Sequence, residues 1–177
     1  EISTRDWSSD VCSSDLVDPG TETTGLALIE EDENGKLIPI HYGVIKTSHK
    51  ETPAKRLLII YNELNEIFFL HRPDSGAVEK LFFQKNVTNA IAVGQARGVI
   101  LLKFAQAGLP VAEYSPQEVK QAVTGYGNAE KKQVQIMVKT ILGLNEIPKP
   151  DDAADALAIA ICHINTKNPS SLFEHQV

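Results

Sequence analysis

The stretch Leu16-Val17-Asp18-Pro19-Gly20-Thr21-Glu22-Thr23-Thr24-Gly25 restricts the folds open to this chain more than any other. An apolar pair leads to an aspartate, Pro-Gly reverses the chain, and a second apolar run, Leu26 to Ile29, returns. That pattern predicts a strand, a tight turn and a returning antiparallel strand. Asp18 then stands at a strand end, held by the sheet rather than by a loop. Taken alone, Asp18 reads as a turn aspartate; a catalytic reading needs other carboxylates that can meet it.

Two strand-like runs, Thr23 to Glu30 and Lys36 to Lys46, flank a hairpin loop that contains Asn34-Gly35. Thr52-Pro53 opens a helix with a polar cap and Pro at its start. Apolar residues at 57, 60, 64, 67 and 68 carry that helix to about Arg72, where Pro73-Asp74 breaks it. Ala77 to Phe83 predicts the next strand. A helix follows from Thr88 or Asn89 to Ala107 and stops at Gly108-Leu109-Pro110. Within it Gly94 and Gly98 allow another backbone to approach, either the sheet or a second copy of the chain. Val111 to Tyr114 is a short strand, and Ser115-Pro116-Gln117-Glu118 starts a helix with a capping box. Ala129 to Leu142 is helical, and Asp152 to about Asn165 is a last helix rich in small residues. The first three strands, joined by short turns, must be antiparallel; the later two, separated by helices, are parallel crossovers. The expected fold is α/β, a mixed five-stranded sheet with helices on both faces.

Residues 1–15, EISTRDWSSDVCSSD, depart from this pattern, with five serines, three aspartates and the only tryptophan. They resemble translated sequencing-adapter read-through and read as a non-native N-terminal segment. A single domain over 16–165 and a C-terminal tail over 166–177 complete the expected organisation. A central strand ending at Asp18 should open on apolar residues. Ser13, Ser14 and Asp15 stand there instead, which predicts stability lost through missing burial.

Cys12 and Cys162 form no CxxC, and no apolar run approaches the roughly 20 residues of a membrane span. No basic region followed by an apolar core opens the chain, so no signal peptide is expected. These features predict a reduced, cytoplasmic protein with no membrane partner. The net charge is −6, yet residues 80–140 carry 8 basic and 3 acidic side chains. A basic face is therefore available for nucleic acid, although solvated helix faces would explain the same lysines.

Four acids fall at telling positions. Asp18 ends a strand. Glu79 lies in an otherwise apolar strand, where a carboxylate is costly unless paired, hydrogen-bonded or metal-bound. Asp152 and Asp155, three apart, share one helix face. Asp151 suits the helix start, where the macrodipole favours carboxylates. Clustered carboxylates without His or Cys point to Mg²⁺ or Mn²⁺. A pair of such ions about 4 Å apart serves phosphodiester cleavage.

From Leu16 to about His163 the chain resembles RuvC-type Holliday-junction resolvases (crossover junction endodeoxyribonucleases), a family with the RNase H fold. The matching stretches are VDPGTETTG (17–25), AVEKLFFQKN (77–86), GQARG (94–98), EYSPQEVKQAVTGYGNAEKKQVQ (113–135) and DDAADALAIAICH (151–163). The resemblance implies that Asp18, Glu79, Asp152 and Asp155 are the catalytic, metal-binding acids, with two Mg²⁺ ions (or Mn²⁺) per site. It implies that Phe82 stacks on unpaired bases at the junction centre; a core role for Phe82, with Phe83 stacking, stays open. Lys120 and Lys131 match basic residues used at the DNA backbone near the scissile phosphate. Asn86, Gln95 and Arg97 are structural or DNA-positioning, and Lys132 is a phosphate contact or a solvated charge.

The implied activity is in-line attack by metal-activated water on a phosphodiester. A homodimer would nick four-way junction DNA symmetrically, leaving 5′-phosphate and 3′-hydroxyl ends, in recombination and repair. A branch-migration complex of RuvA- and RuvB-type proteins is the implied further partner. The alternatives are an RNase H-fold nuclease acting on RNA or other branched substrates, and a catalytically impaired junction-binding homologue. Asp-x-Gly-Thr-like turns also occur in actin-like ATPases, but 177 residues without a second phosphate turn are too few for that two-domain architecture.

Overall fold

The chain was analysed as a computed structural model, which describes residues 13–18, 22–80 and 87–167, with only the backbone described at 13–18 and 87–89. Among these residues, Ser13–Asp18 (β1), Thr23–Glu31 (β2) and Leu37–Lys46 (β3) are followed by the helix Pro53–His71 (α1). Then come Ser75–Glu79 (β4), Val87–Gln106 (α2), Val111–Tyr114 (β5), Pro116–Thr124 (α3), Lys131–Ile141 (α4) and Asp151–Lys167 (α5). The strands form one sheet in the order β3-β2-β1-β4-β5. The β1/β2 and β2/β3 pairs are antiparallel, and the β1/β4 and β4/β5 pairs are parallel, as expected from the connections.

Local signals account for the helix ends. Thr52 Oγ1 accepts from the Lys55 N–H at 3.3 Å and Pro53 follows as the first helical residue of α1. Ser115 and Glu118 close a capping box on α3, with the Ser115 N–H donating to Glu118 Oε2 at 2.6 Å. Period-2 alternation in β2 divides its apolar residues between two cores. Ala27 and Ile29 pack with α3, α4 and α5, whereas Leu26 packs with α1 and α2. Helices therefore cover both faces.

Two expectations change. The fourth strand spans Ser75–Glu79, starting two residues earlier than expected, with Glu79 as its last residue; Leu81 to Phe83 of the expected span lie outside the described residues. Gly76 belongs within this strand because the Phe104 ring lies over it; a Cβ there would come within 2.0 Å of Phe104 Cε1. Gly94 and Gly98 do not pack on the sheet, since a Cβ at either would meet nothing within 4 Å. β1 reaches back to Ser13, so Ser14 adjoins Ile29 and Ser75, and Asp15 adjoins Leu28 and Gly76. Polar residues thus occupy the central strand at the level of the buried Ile29, Leu28 and Ser75.

On the sheet-facing side of α5, His163 is 3% exposed, between Ser75 Oγ on Nε2 and Tyr114 OH on Nδ1, each at 3.0 Å. Burial, assisted by the Lys167 charge, pushes the His163 pKa down to about 4. The folded state therefore holds the imidazole neutral, whereas the unfolded chain binds its proton near pH 6.5. This contribution is complete above pH 6.5 and is lost as the pH falls towards 4, to a total of about 3 kcal/mol. Denaturation between pH 7 and 4 should show that loss in wild type. His163→Gln, although less stable at pH 7, should show a flatter acid limb.

Candidate active site

The acids converge because separate elements end at one side of the sheet. β1 and β4 run parallel with Val17 beside Val78, so Asp18 and Glu79 are the last residues of adjoining strands. Across the antiparallel pair, Gly25 of β2 stands opposite Asp18. The start of α5 rests on that glycine. A Cβ at Gly25 would lie 2.2 Å from the Asp152 carbonyl oxygen and 2.8 Å from its carbonyl carbon. Only a residue without a side chain lets α5 approach this closely, and the approach brings Asp152 to the strand end that carries Asp18.

Glu79 follows Ala77 by two residues and so faces the α5 side of the sheet. Its side chain is half-buried, and its carboxyl pKa is raised, first by that burial and then by the negative charge of Asp155. Asp155, one helical turn beyond Asp152, looks into the same cleft. The cleft has a volume of about 260 Å³ and is lined by Glu79, Asp155, Lys120 and Lys131 over an apolar wall that includes Val119 and Val134.

Lys131 supplies the local counter-charge. Its Nζ donates to Asp155 Oδ2 at 2.9 Å and lies 3.3 Å from Asp151 Oδ2. Burial opposes the ammonium, but the hydrogen bonds and charges of Asp155 and Asp151 outweigh it and raise the Lys131 pKa. Asp151 also accepts from Gln135 Nε2 at 3.0 Å, which ties the start of α5 to α4 and fits its helix-start role. Lys120 lines the cleft with no ion-pair partner among the described residues. Lys132 is exposed and likewise without an ion pair among them, as a solvated charge would be.

Glu79, Asp155, Lys120 and Lys131 thus share one cleft; Asp152 is not among its lining residues, and its backbone rests on Gly25, opposite Asp18. Among the described residues no three acids, histidines or cysteines close into a metal cage by themselves. The Asp18 side chain, Phe82, Phe83 and Asn86 lie outside the described side chains. Two contributors escaped the sequence reading. Gly25 has a signal, a glycine two residues into the returning strand. The pairing of Lys131 with α5 has none, because its partners are 20 and 24 residues away in the chain.

A sheet of order β3-β2-β1-β4-β5 with acids at the ends of β1 and β4 and at the start of α5 defines an RNase H-like α/β protein. The family model described as "Crossover junction endodeoxyribonuclease RuvC" matches residues 16–163. The chain is 53% identical over 158 residues to the protein of that name from Syntrophomonas wolfei, covering 89% of this chain and 91% of that one. It is 59% identical over 150 residues to that of Halothermothrix orenii, covering 85% and 90%. The structure of T. thermophilus RuvC in complex with Holliday junction substrate superposes with a TM-score of 0.82 at 35% identity, covering 90% of this chain and 97% of that one. The chain belongs to the RuvC family of crossover junction endodeoxyribonucleases.

The packing at Gly25 makes a direct prediction. Gly25→Ala should force α5 away from β2 and lower stability by about 1–3 kcal/mol, as overpacked sites do. Chemical denaturation checks this; wild-type stability would show that α5 does not rest on Gly25.

Proposed function

We propose that this chain resolves four-way DNA junctions as a homodimer, by paired symmetric nicks in homologous recombination and DNA repair. As a RuvC-family member it is a phosphodiester hydrolase, and cleavage leaves a 5′-phosphate and a 3′-hydroxyl. One observation carries the site assignment. Glu79 and Asp155 line one cleft together with Lys120 and Lys131, while the backbone of Asp152 rests on Gly25 opposite the strand end of Asp18.

Asp18, Glu79, Asp152 and Asp155 are the catalytic acids in this reading. Their donors are all hard oxygens, which suits Mg²⁺ or Mn²⁺, two ions per site. The electrostatics agree: burial and then the Asp155 charge disfavour ionisation of Glu79, and a divalent cation held by these acids would offset that penalty. When bound, such ions supply the Lewis-acid and nucleophile-activating chemistry of in-line phosphodiester hydrolysis. The chain's own residues hold and orient. Lys120, unpaired among the described residues, takes a phosphate oxygen of the cleaved strand. Lys131 holds Asp155 and exchanges part of that contact for the DNA backbone. Phe82 stacks on unpaired bases at the junction centre.

The homodimer is supported by α2, whose outer stripe Ile91, Gln95, Gly98 and Leu102 is exposed, with Ile91 at 60% and Leu102 at 53%. With open space over Gly94 and Gly98, a second α2 can approach closely. Cooperation with RuvA- and RuvB-type branch-migration proteins in the cytoplasm completes the reading. No helix among the described residues is long and apolar enough to cross a membrane.

Residues 1–15 are, in this reading, a foreign extension to a nuclease domain over 16–165. Substituting Ser14 and Asp15 by Val or Ile should raise stability by about 1.5–3 kcal/mol per aliphatic side chain buried. A lower melting temperature in that variant would contradict this. For the chemistry, Asp18→Asn should abolish cleavage of a synthetic four-way junction in Mg²⁺ while leaving junction binding within a few-fold of wild type. Equal loss of both, or equal cleavage of linear duplex and RNA by the unaltered chain, would count against resolution.

A further inference from the structure

Arg97 on α2 has no place in the scheme above, yet its guanidinium is bound at the end of the strand that carries Glu79. Its side chain is 12% exposed. Nη2 lies 2.8 Å from Glu113 Oε2 on β5, and Nη1 donates to the main-chain carbonyl of Glu79 at 3.4 Å. One planar group therefore joins α2 to the last residue of β4 and to the neighbouring strand.

The location matters because sheet pairing runs out there. Glu79 is opposite Tyr114, the last residue of β5, and one more hydrogen bond, from the Lys80 N–H to the Tyr114 carbonyl at 2.8 Å, closes the ladder. The Lys80 N–H and the Glu79 carbonyl belong to one peptide unit, so Tyr114 holds its donor end and Arg97 its acceptor end, and a metal-binding carboxylate must be held within about 0.5 Å to be useful. The guanidinium charge is engaged by Glu113, so its action on Glu79 passes through the backbone rather than through the carboxylate. A planar fork can grip two acceptors at fixed separation; an ammonium cannot.

We propose that Arg97, oriented by Glu113, is a positioning residue for metal binding: it fixes the end of β4 so that the Glu79 carboxylate is presented to the cation. This rests on the reading of Glu79 as a metal ligand. Loss of such an outer contact typically weakens metal affinity or activity 10–100-fold.

The test uses the full chain and four variants: Arg97→Met, Arg97→Lys, Glu113→Gln and Glu79→Gln. Mn²⁺ affinity is measured by calorimetry on the free protein, junction affinity without divalent metal, and single-turnover junction cleavage across a Mg²⁺ titration. Arg97→Met should weaken Mn²⁺ binding and raise the half-saturating Mg²⁺ concentration by about tenfold or more, with metal-free junction affinity within about twofold. Arg97→Lys should fail to restore either, and Glu113→Gln, which keeps an acceptor, should fall between wild type and Arg97→Met.

Wild-type metal affinity in Arg97→Met overturns the proposal. So does a loss of junction affinity as large as the loss of cleavage, which would make Arg97 a DNA contact. If Arg97→Met does not fold, Glu113→Gln decides, and unchanged metal affinity in that variant overturns the proposal. Glu79→Gln separates the two levels. Normal metal affinity and cleavage in Glu79→Gln would remove the ligand reading itself, whereas an inactive Glu79→Gln beside an unaffected Arg97→Met removes only the positioning role.

Discussion

The close approach of α5 to β2 at Gly25 is the contact on which the site depends. The acids come from residues far apart in the chain, and no local element could gather them. The sheet aligns the ends of β1 and β4, but Asp152 and Asp155 reach that level only because the α5 backbone sits where a side chain would otherwise stand. The rest of α5 secures this placement, with its residues from Ala156 to Ile164 buried against the sheet and against α3 and α4. Stability and function therefore meet in one helix. Its apolar length anchors it, and its first two turns carry Asp152 and Asp155.

The charge arrangement around the cleft follows from that gathering. Carboxylates brought together out of water repel, and the chain answers with Lys131, which holds Asp155 and Asp151. Lys131 satisfies two carboxylates; it does not neutralise Glu79, whose pKa stays raised by burial and by Asp155. The uncompensated negative charge in the cleft is what makes a divalent cation a fitting occupant. Lys120 lines the same cleft without an ion-pair partner among the described residues and, in the proposed reading, meets the anionic substrate.

Most of this was legible in the sequence for physical reasons. Short turns dictated antiparallel pairing of the first three strands, and Ser115-Pro116-Gln117-Glu118 carried a complete helix start. Glu79 betrayed itself by standing in an apolar run. The start of β4 was placed two residues late because Ser75-Gly76 carries little strand propensity of its own. Gly94 and Gly98 were ambiguous because a small-residue face suits a sheet and a second helix equally. What could not be read at all were contacts across the chain: Gly25 against Asp152, Lys131 on α5, and Arg97 between Glu79 and Glu113. Those depend on register and helix placement, which no residue spacing encodes.

The central claim is that Asp18, Glu79, Asp152 and Asp155 form one divalent-metal site. Crystals soaked in Mn²⁺, measured for anomalous scattering, test it most directly. The account predicts a peak in the cleft within about 2.5 Å of carboxylate oxygens from Asp18 and from at least one of the other three acids. A peak bound elsewhere, or an empty cleft at saturating Mn²⁺, would contradict it.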